Sequence, residues 1–291
     1  MRIDLHTHSR ASDGTQTPRE LVHAAAAAGL DVLAITDHDT SAGWAEAAEA
    51  ADECGIELVR GMEISTKHGR RGVHLLAYLP DPTYAPLLDE LSSVLDGRRA
   101  RVPMMLDRLR ALGIDIGADD VRRAARGTAA TGRPHVADAL VTLGVVADRT
   151  EAFDRFLGAG RPANVDRYAT PLLDTIRHVA AAGGVSVIAH PWGRSLHRLS
   201  EADLAGFQDA GLSGLEVDHQ DHDPQARAEL RAIANNLGLV VTGSSDHHGA
   251  GKNDHELGVN TTAPDQYARL LELAADAASA AGRATPEIIR G

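Results

Sequence analysis

At 291 residues with a formal net charge of −12, the chain can build one large core or a domain with an insertion, and its surface as a whole repels nucleic acid, so any polyanion must meet a local basic patch or bound cations. Apolar residues at 43% and charged residues at 24% are ordinary for a globular protein, and no stretch has the length of a membrane-spanning helix. The single cysteine, Cys54, excludes an intramolecular disulfide and suits a reducing cytoplasm, and a first strand starting at residue 2 or 3 leaves no room for a signal peptide.

Residues 3–5 form the first predicted strand, followed at once by His6, His8 and Asp13 in "IDLHTHSRASDG". Thr17, Pro18 and Glu20 spell a capping box with proline at the first helical position, so a helix begins there. The second strand, 32–35, leads into "TDHDT" with His38, and a helix follows from Ser41 to near Gly55. A third strand, 57–59, precedes "GMEIS" with Glu63, and a fourth, 73–79, carries His74 in its first two residues. The interval between Glu63 and Leu75 is too short for a crossover helix, so a hairpin-like return is expected, with His74 at the same mouth as Glu63. Residues 85–167 show helical periodicity and no convincing strand, and are read as an inserted helical subdomain between barrel segments 1–84 and 168–291. Its stretch from Gly97 to His135 carries nine arginines against four aspartates, the reverse of the chain as a whole. Strands at 185–189, 214–217 and 239–242 precede "AHPWGR" with His190, "EVDHQDH" with Glu216, Asp218 and His219, and "GSSDHH" with Asp246 and His248. Helices are expected over 172–182, 201–210, 224–237 and 264–281. The alternation implies an α/β fold with a mostly parallel sheet, and seven strands suit a distorted barrel related to the TIM architecture.

In barrels of parallel strands the loops after the strands form the active face, and here imidazoles and carboxylates follow six of the seven. Neutral imidazole with carboxylate oxygen suits Zn, Mn or Fe as divalent ions. Extended-chain alternation points His6 and His8 the same way, and likewise pairs Asp246 with His248 while turning His247 aside. The nine candidate metal ligands are His6, His8, Asp13, His38, Glu63, His74, His190, Asp246 and His248, about right for two or three ions. Two cations a few ångströms apart would activate a water and clamp phosphoryl oxygens. Outside this set, Arg133 and His135 stand at an expected helix start and Arg194 follows "HPW"; all three are candidates to hold substrate phosphate. Asp37, Asp39, His197, His219, His222, His247 and His255 are candidate partners of the ligands. Only Lys67 and Lys252 among 29 basic residues are lysine, which argues against Schiff-base chemistry; G-x-S-x-G and P-loop signatures are absent.

The motifs "DLHTHSRASDGTQTP", "AITDHDT", "GMEIS", "GVHLLAY", "IAHP" and "GSSDHH", in this order from residue 3 to about 260, resemble those of the PHP (polymerase and histidinol phosphatase) superfamily. The resemblance implies a distorted seven-stranded β/α barrel, and the helical insertion is similar to that of stand-alone members acting on nucleotides and short RNA. It further implies that His6, His8, Glu63 and Asp246 hold one metal, that Glu63 bridges to a second held by His74 and His190, and that Asp13, His38 and His248 hold a third. The expected activity is metal-dependent hydrolysis of a small phosphorylated substrate, such as a nucleoside 3′,5′-bisphosphate or the 5′ end of a short RNA, without stable binding of duplex DNA. Histidinol-phosphate phosphatase, a non-catalytic metal-stabilised module of the kind attached to some DNA polymerases, and C–N hydrolysis of the amidohydrolase type are the alternatives.

Overall fold

The structure is a computed structural model and describes residues 1–193 and 198–290. Seven strands lie side by side in chain order: β1 (Ile3–Asp4), β2 (Val32–Ile35), β3 (Glu57–His68), β4 (Arg71–Tyr78), β6 (Val185–Ala189), β7 (Leu212–Asp218) and β8 (Val240–Gly243). A two-residue strand, β5 (Thr170–Pro171), pairs with β3 off this path and was not anticipated. All the neighbours are parallel except β4, which runs antiparallel to both β3 and β6. The sheet is thus a nearly closed α/β barrel with one reversed strand, and the predicted hairpin between the third and fourth strands is present.

β3 runs on to His68, well past its expected end, so Glu63 lies inside a strand instead of following one. Pairing with β4 continues the hydrogen-bond ladder through this polar segment, with Ser65 opposite His74 and Glu63 opposite Leu76. The seam between β1 and β8 has no ladder. A single bridge, Thr7 to His247, closes it, while buried Asp4 accepts the backbone N–H groups of Ser245 (3.0 Å) and Gly258 (2.9 Å).

Helices α1 (Pro18–Ala27), α2 (Trp44–Cys54), α3 (Ala85–Ala111), α4 (Ala118–Ala125), α5 (Arg133–Thr142), α6 (Arg149–Ala152), α7 (Leu172–Ala181), α8 (Glu201–Asp209), α9 (Pro224–Asn236) and α10 (Pro264–Ala281) complete the described chain, with a π-turn over Phe153–Leu157. The capping box forms at α1: Glu20 N–H donates to Thr17 Oγ1 (3.1 Å) and Thr17 N–H to Glu20 Oε2 (2.8 Å). Strand alternation divides the apolar residues. Leu33 and Ile35 pack outward against Leu21, Val22 and Ala47 of α1 and α2, while Val32 and Ala34 join Ile3, Leu5, Leu76 and Val187, with Tyr267 and Leu270 of α10 against them. A separate apolar cluster joins Met105, Leu106 and Leu109 of α3 to Val136 and Leu140 of α5 and to Leu157. α3 serves both centres, because its first turns, with Leu87 and Leu91, belong to the barrel's cluster, and Pro103 sits between the two halves. None of the described helices is long and apolar enough to cross a membrane.

Candidate metal centre

Strand register assembles the site. The Thr7–His247 bridge spends the middle residue of each triplet on the seam, so His6 and His8 on one side and Asp246 and His248 on the other all turn to the mouth. Across the hairpin, Ser65 faces His74 and His74 faces Ala189, which sets Glu63, His74 and His190 around one point. Gly14 makes the sharp return that carries Asp13 in: a Cβ there would lie 2.3 Å from the His8 carbonyl oxygen.

Glu63 is the hub. Its Oε2 lies 3.3 Å from His6 Nε2, 3.2 Å from His8 Nε2 and 3.0 Å from His38 Nδ1. Its Oε1 lies 2.7 Å from His74 Nδ1 and 3.2 Å from His190 Nε2. Asp246 Oδ1 faces His6, His8 and His248 at 3.4–3.5 Å. Asp13 faces His248 Nε2 at 3.4 Å and His38 Nε2 at 3.7 Å. All nine predicted ligands therefore meet at one end of the barrel: seven fall in the overlapping groups His6–His8–Glu63, His38–Glu63–His74 and His8–Asp13–His38–His248, and His190 and Asp246 join through Glu63 and through His6, His8 and His248.

The donor set fits divalent cations. The Nδ1 atoms of His8, His38 and His74 are buried and make no hydrogen bond of acceptable geometry, so their lone pairs have no other employment in the fold. Burial alone would raise the pKa of Glu63, Asp13 and Asp246, yet attraction to the groups facing them, chiefly His74 for Glu63, His38 for Asp13 and Lys252 for Asp246, holds all three well below the carboxylate range. Burial, then the neighbouring His8 ring, pushes His248 down to about 4, which keeps it a neutral donor. Burial opposes charge on His6, His8 and His190, but the facing carboxylates outweigh it and raise all three, His8 to about 9; the pocket thus draws positive charge, which divalent cations would supply.

Other side chains orient these donors. Glu216 Oε1 accepts His6 Nδ1–H at 2.9 Å and its Oε2 accepts the His190 backbone N–H at 2.8 Å, fixing the His6 tautomer so that Nε2 presents its lone pair. Sequence reasoning noticed Glu216 only as part of a run; its role comes from strand direction and from Ser244, which also donates to it. Asp37 holds the loop between His8 and Asp13 through Ser9 N–H (2.8 Å) and Ser12 Oγ (2.6 Å). Asp39 accepts from Ser65 N–H (2.6 Å) and from Arg98 Nε (2.6 Å). His247 spends its nitrogens on the His255 carbonyl (2.7 Å) and Gln16 (3.0 Å), turned away from the mouth as expected.

Above the ligands opens a cavity of about 370 Å³ whose opposite side is arginine: Arg98, Arg101, Arg133 and Arg167. Only Arg133 was singled out by its position in the sequence. Arg98 and Arg101 are 3% and 4% exposed, and the Arg101 Nε has no hydrogen-bond partner. Burial, compounded by neighbouring guanidinium charge, lowers the pKa of Arg101, Arg133 and Arg167, yet arginine keeps its proton at neutral pH. The four charges are therefore crowded at a cost that a bound anion relieves. His135 departs from expectation. Its Nδ1 accepts the Gly132 N–H (3.1 Å) and its Nε2 donates to the Ser12 carbonyl (3.1 Å), leaving no nitrogen for phosphate. It joins Thr128, which donates to the Ala11 carbonyl (2.6 Å), and Arg149, which donates to that of Asp13 (2.9 Å), in clamping the Asp13 loop to the helical segment. Arg194 lies outside the described residues. A larger cavity of about 480 Å³ lies behind this clamp, lined by α4 and α5 and by none of the nine candidate ligands.

A family model described as the PHP domain matches residues 4–116. A 3′,5′-nucleoside bisphosphate phosphatase of Chromobacterium violaceum is 37% identical over 257 residues, covering 88% of this chain and 90% of the relative. A 5′-3′ exoribonuclease of Haemophilus influenzae is 37% identical over 255 residues, covering 85% and 90%. A solved structure from Bifidobacterium adolescentis, described as a metal-dependent phosphoesterase, superposes with a TM-score of 0.89 at 38% identity, covering 93% of this chain and 96% of that one.

Proposed function

The chain belongs to the PHP domain family, and from that premise we propose that it is a metal-dependent phosphoesterase acting on nucleotides that carry a second phosphate, or on the 5′ end of short RNA. The observation that carries this reading is a single cavity with an imidazole–carboxylate side and, facing it, a four-arginine side.

His6, His8, Glu63 and Asp246 would hold one cation, Glu63, His74 and His190 a second, and Asp13, His38 and His248 a third; Mn, Fe and Zn all suit these donors. When bound, such ions polarise phosphoryl oxygens and lower the pKa of coordinated water. The chain's own groups prepare the site. Glu216 fixes His6, and the Asp13 loop is held by the helical segment 85–167, which we read as a subdomain that closes one side of the mouth. Arg101 and Arg133 offer charge-assisted donors to a phosphate that is not cleaved. At about 370 Å³ the cavity is at the small end of ligand pockets, which favours one terminal nucleotide over a duplex. The lone cysteine, Cys54, agrees with a cytoplasmic setting.

Histidinol phosphate fits less well, because its protonated amine would meet the arginine side with like charge. The test is phosphate release from nucleoside 3′,5′-bisphosphates, nucleoside monophosphates, short 5′-phosphorylated RNA and histidinol phosphate, each with Mn, Fe or Zn. A bisphosphate or RNA substrate should lead the panel. Faster cleavage of histidinol phosphate would overturn this reading.

A further inference from the structure

The metal side of the cavity carries a cation of the chain's own. Lys252, in the loop after β8, pairs with Asp246 Oδ2 and lines the same cavity as the four arginines. The two oxygens of Asp246 have separate surroundings. Oδ1 faces His6, His8 and His248 at 3.4–3.5 Å. Oδ2 faces Lys252 and, at 3.3 Å, His219 Nε2.

His219, Asp246 and His255 are spaced closely enough to suggest a further metal site. Their hydrogen bonds argue otherwise. The Asp221 N–H donates to His219 Nδ1 (3.0 Å), so the His219 proton sits on Nε2 and points at Asp246, leaving no lone pair for a metal. The His255 Nδ1–H is spent on the Ser245 carbonyl (2.6 Å). The positive charge in this corner is the Lys252 ammonium.

An ammonium has three tetrahedral N–H donors, and Asp246 Oδ2 takes one. The side chain is 35% exposed whereas that of Asp246 is 3% exposed, and Lys252 lines the cavity, so two donors remain for a group bound there. A guanidinium at this place would lay its planar fork along the carboxylate and commit two donors to it. The choice of residue is pointed: in a chain where all but two of 29 basic residues are arginine, this is one of the two lysines.

We propose that Lys252 is a catalytic residue that donates to an oxygen of the scissile phosphoryl group while its first hydrogen keeps Asp246 aligned. The inference rests on the phosphoesterase reading above. Its test uses the metal-loaded full chain as wild type, Lys252→Met and Lys252→Arg, and measures metal content, inhibition by inorganic phosphate, and kcat and KM on the best substrate of the panel. Lys252→Met should keep the wild-type metal content, weaken phosphate inhibition about ten- to a hundredfold, and lower kcat/KM by at least as much. Lys252→Arg should fall between the two and secures the result if the methionine variant folds poorly. Unchanged phosphate inhibition in both variants, or loss of metal in parallel with activity, would overturn the proposal and reduce Lys252 to a prop for Asp246. Hydrolysis of no phosphate ester by the wild type would sink the phosphoesterase reading instead, so the two failures are told apart by the unmutated protein.

Discussion

The two sides of the cavity carry opposite charge and are built by opposite means. The metal side comes from strand ends, where period-two alternation and one bridge at the seam aim His6, His8, Asp246 and His248 together. Its charges compensate one another through Glu63 and through orienting bonds such as Glu216 to His6. The arginine side comes from α3, the start of α5 and the loop before β5, and among the described residues only Arg98 of the four makes a direct ion pair, with Asp39. A side that satisfies itself is a framework; a side left in mutual repulsion is waiting for a ligand. The contrast predicts that damage to the first removes chemistry, whereas damage to the second trades affinity for stability.

The largest effect belongs to the hub. Glu63→Gln should release metal, seen by elemental analysis, and lower kcat by about a thousandfold or more, with the circular dichroism of the fold retained. Retained metal and activity would dissolve the idea that one carboxylate serves both halves of the centre. Next comes Arg101→Met. Removing one crowded guanidinium should raise stability by about 0.5–2 kcal/mol in denaturant titrations while lowering kcat/KM roughly ten- to a hundredfold for a bisphosphate and much less for a monophosphate. A variant that is both less stable and equally impaired on the two substrates would mean that the arginine side is structural. The smallest effect lies where the two sides are tied together. Burial lowers the pKa of His135 below its ordinary 6.5, so the folded state resists its protonation. Stability tied to this residue is complete above that value and is lost as pH falls below it, because there the unfolded chain binds the proton more readily. His135→Asn should flatten this acid limb by a degree or two in Tm, measured between about pH 5 and 7. An unchanged limb would remove His135 from the clamp.

The contrast also explains what could be read in advance. The metal side was legible because its residues follow strands at fixed parity, a pattern that survives in one dimension. Four of the strand-to-loop junctions bearing ligands, those after β1, β2, β6 and β8, lie where they were expected, and the hairpin placing His74 followed from too short a connection. β3 overran its expected end because the pairing with β4, a tertiary fact, extended a segment whose own composition is polar. Three of the four arginines were not singled out for a different reason. Arg98 and Arg101 are a turn apart on a helix full of arginines, several of them exposed, and nothing local distinguishes those facing inward. Arg167 stands in a loop without periodicity. His135 was misjudged because a helix start suggests an anion, whereas the Gly132 N–H and the Ser12 carbonyl, one of them distant in sequence, consume both nitrogens.

The open seam has a mechanical consequence. β1 and β8 stand near opposite ends of the chain and share one bridge instead of a ladder. His6 and His8 lie on one lip and Asp246 and His248 on the other. A cation gripped from both lips is a rivet through the barrel wall. It fastens residues separated by almost the whole chain, and so restricts the unfolded ensemble as a long-range crosslink does. A chain with a single thiol cannot make that fastening covalently. The ions that equip this barrel for hydrolysis would also be what keeps it shut.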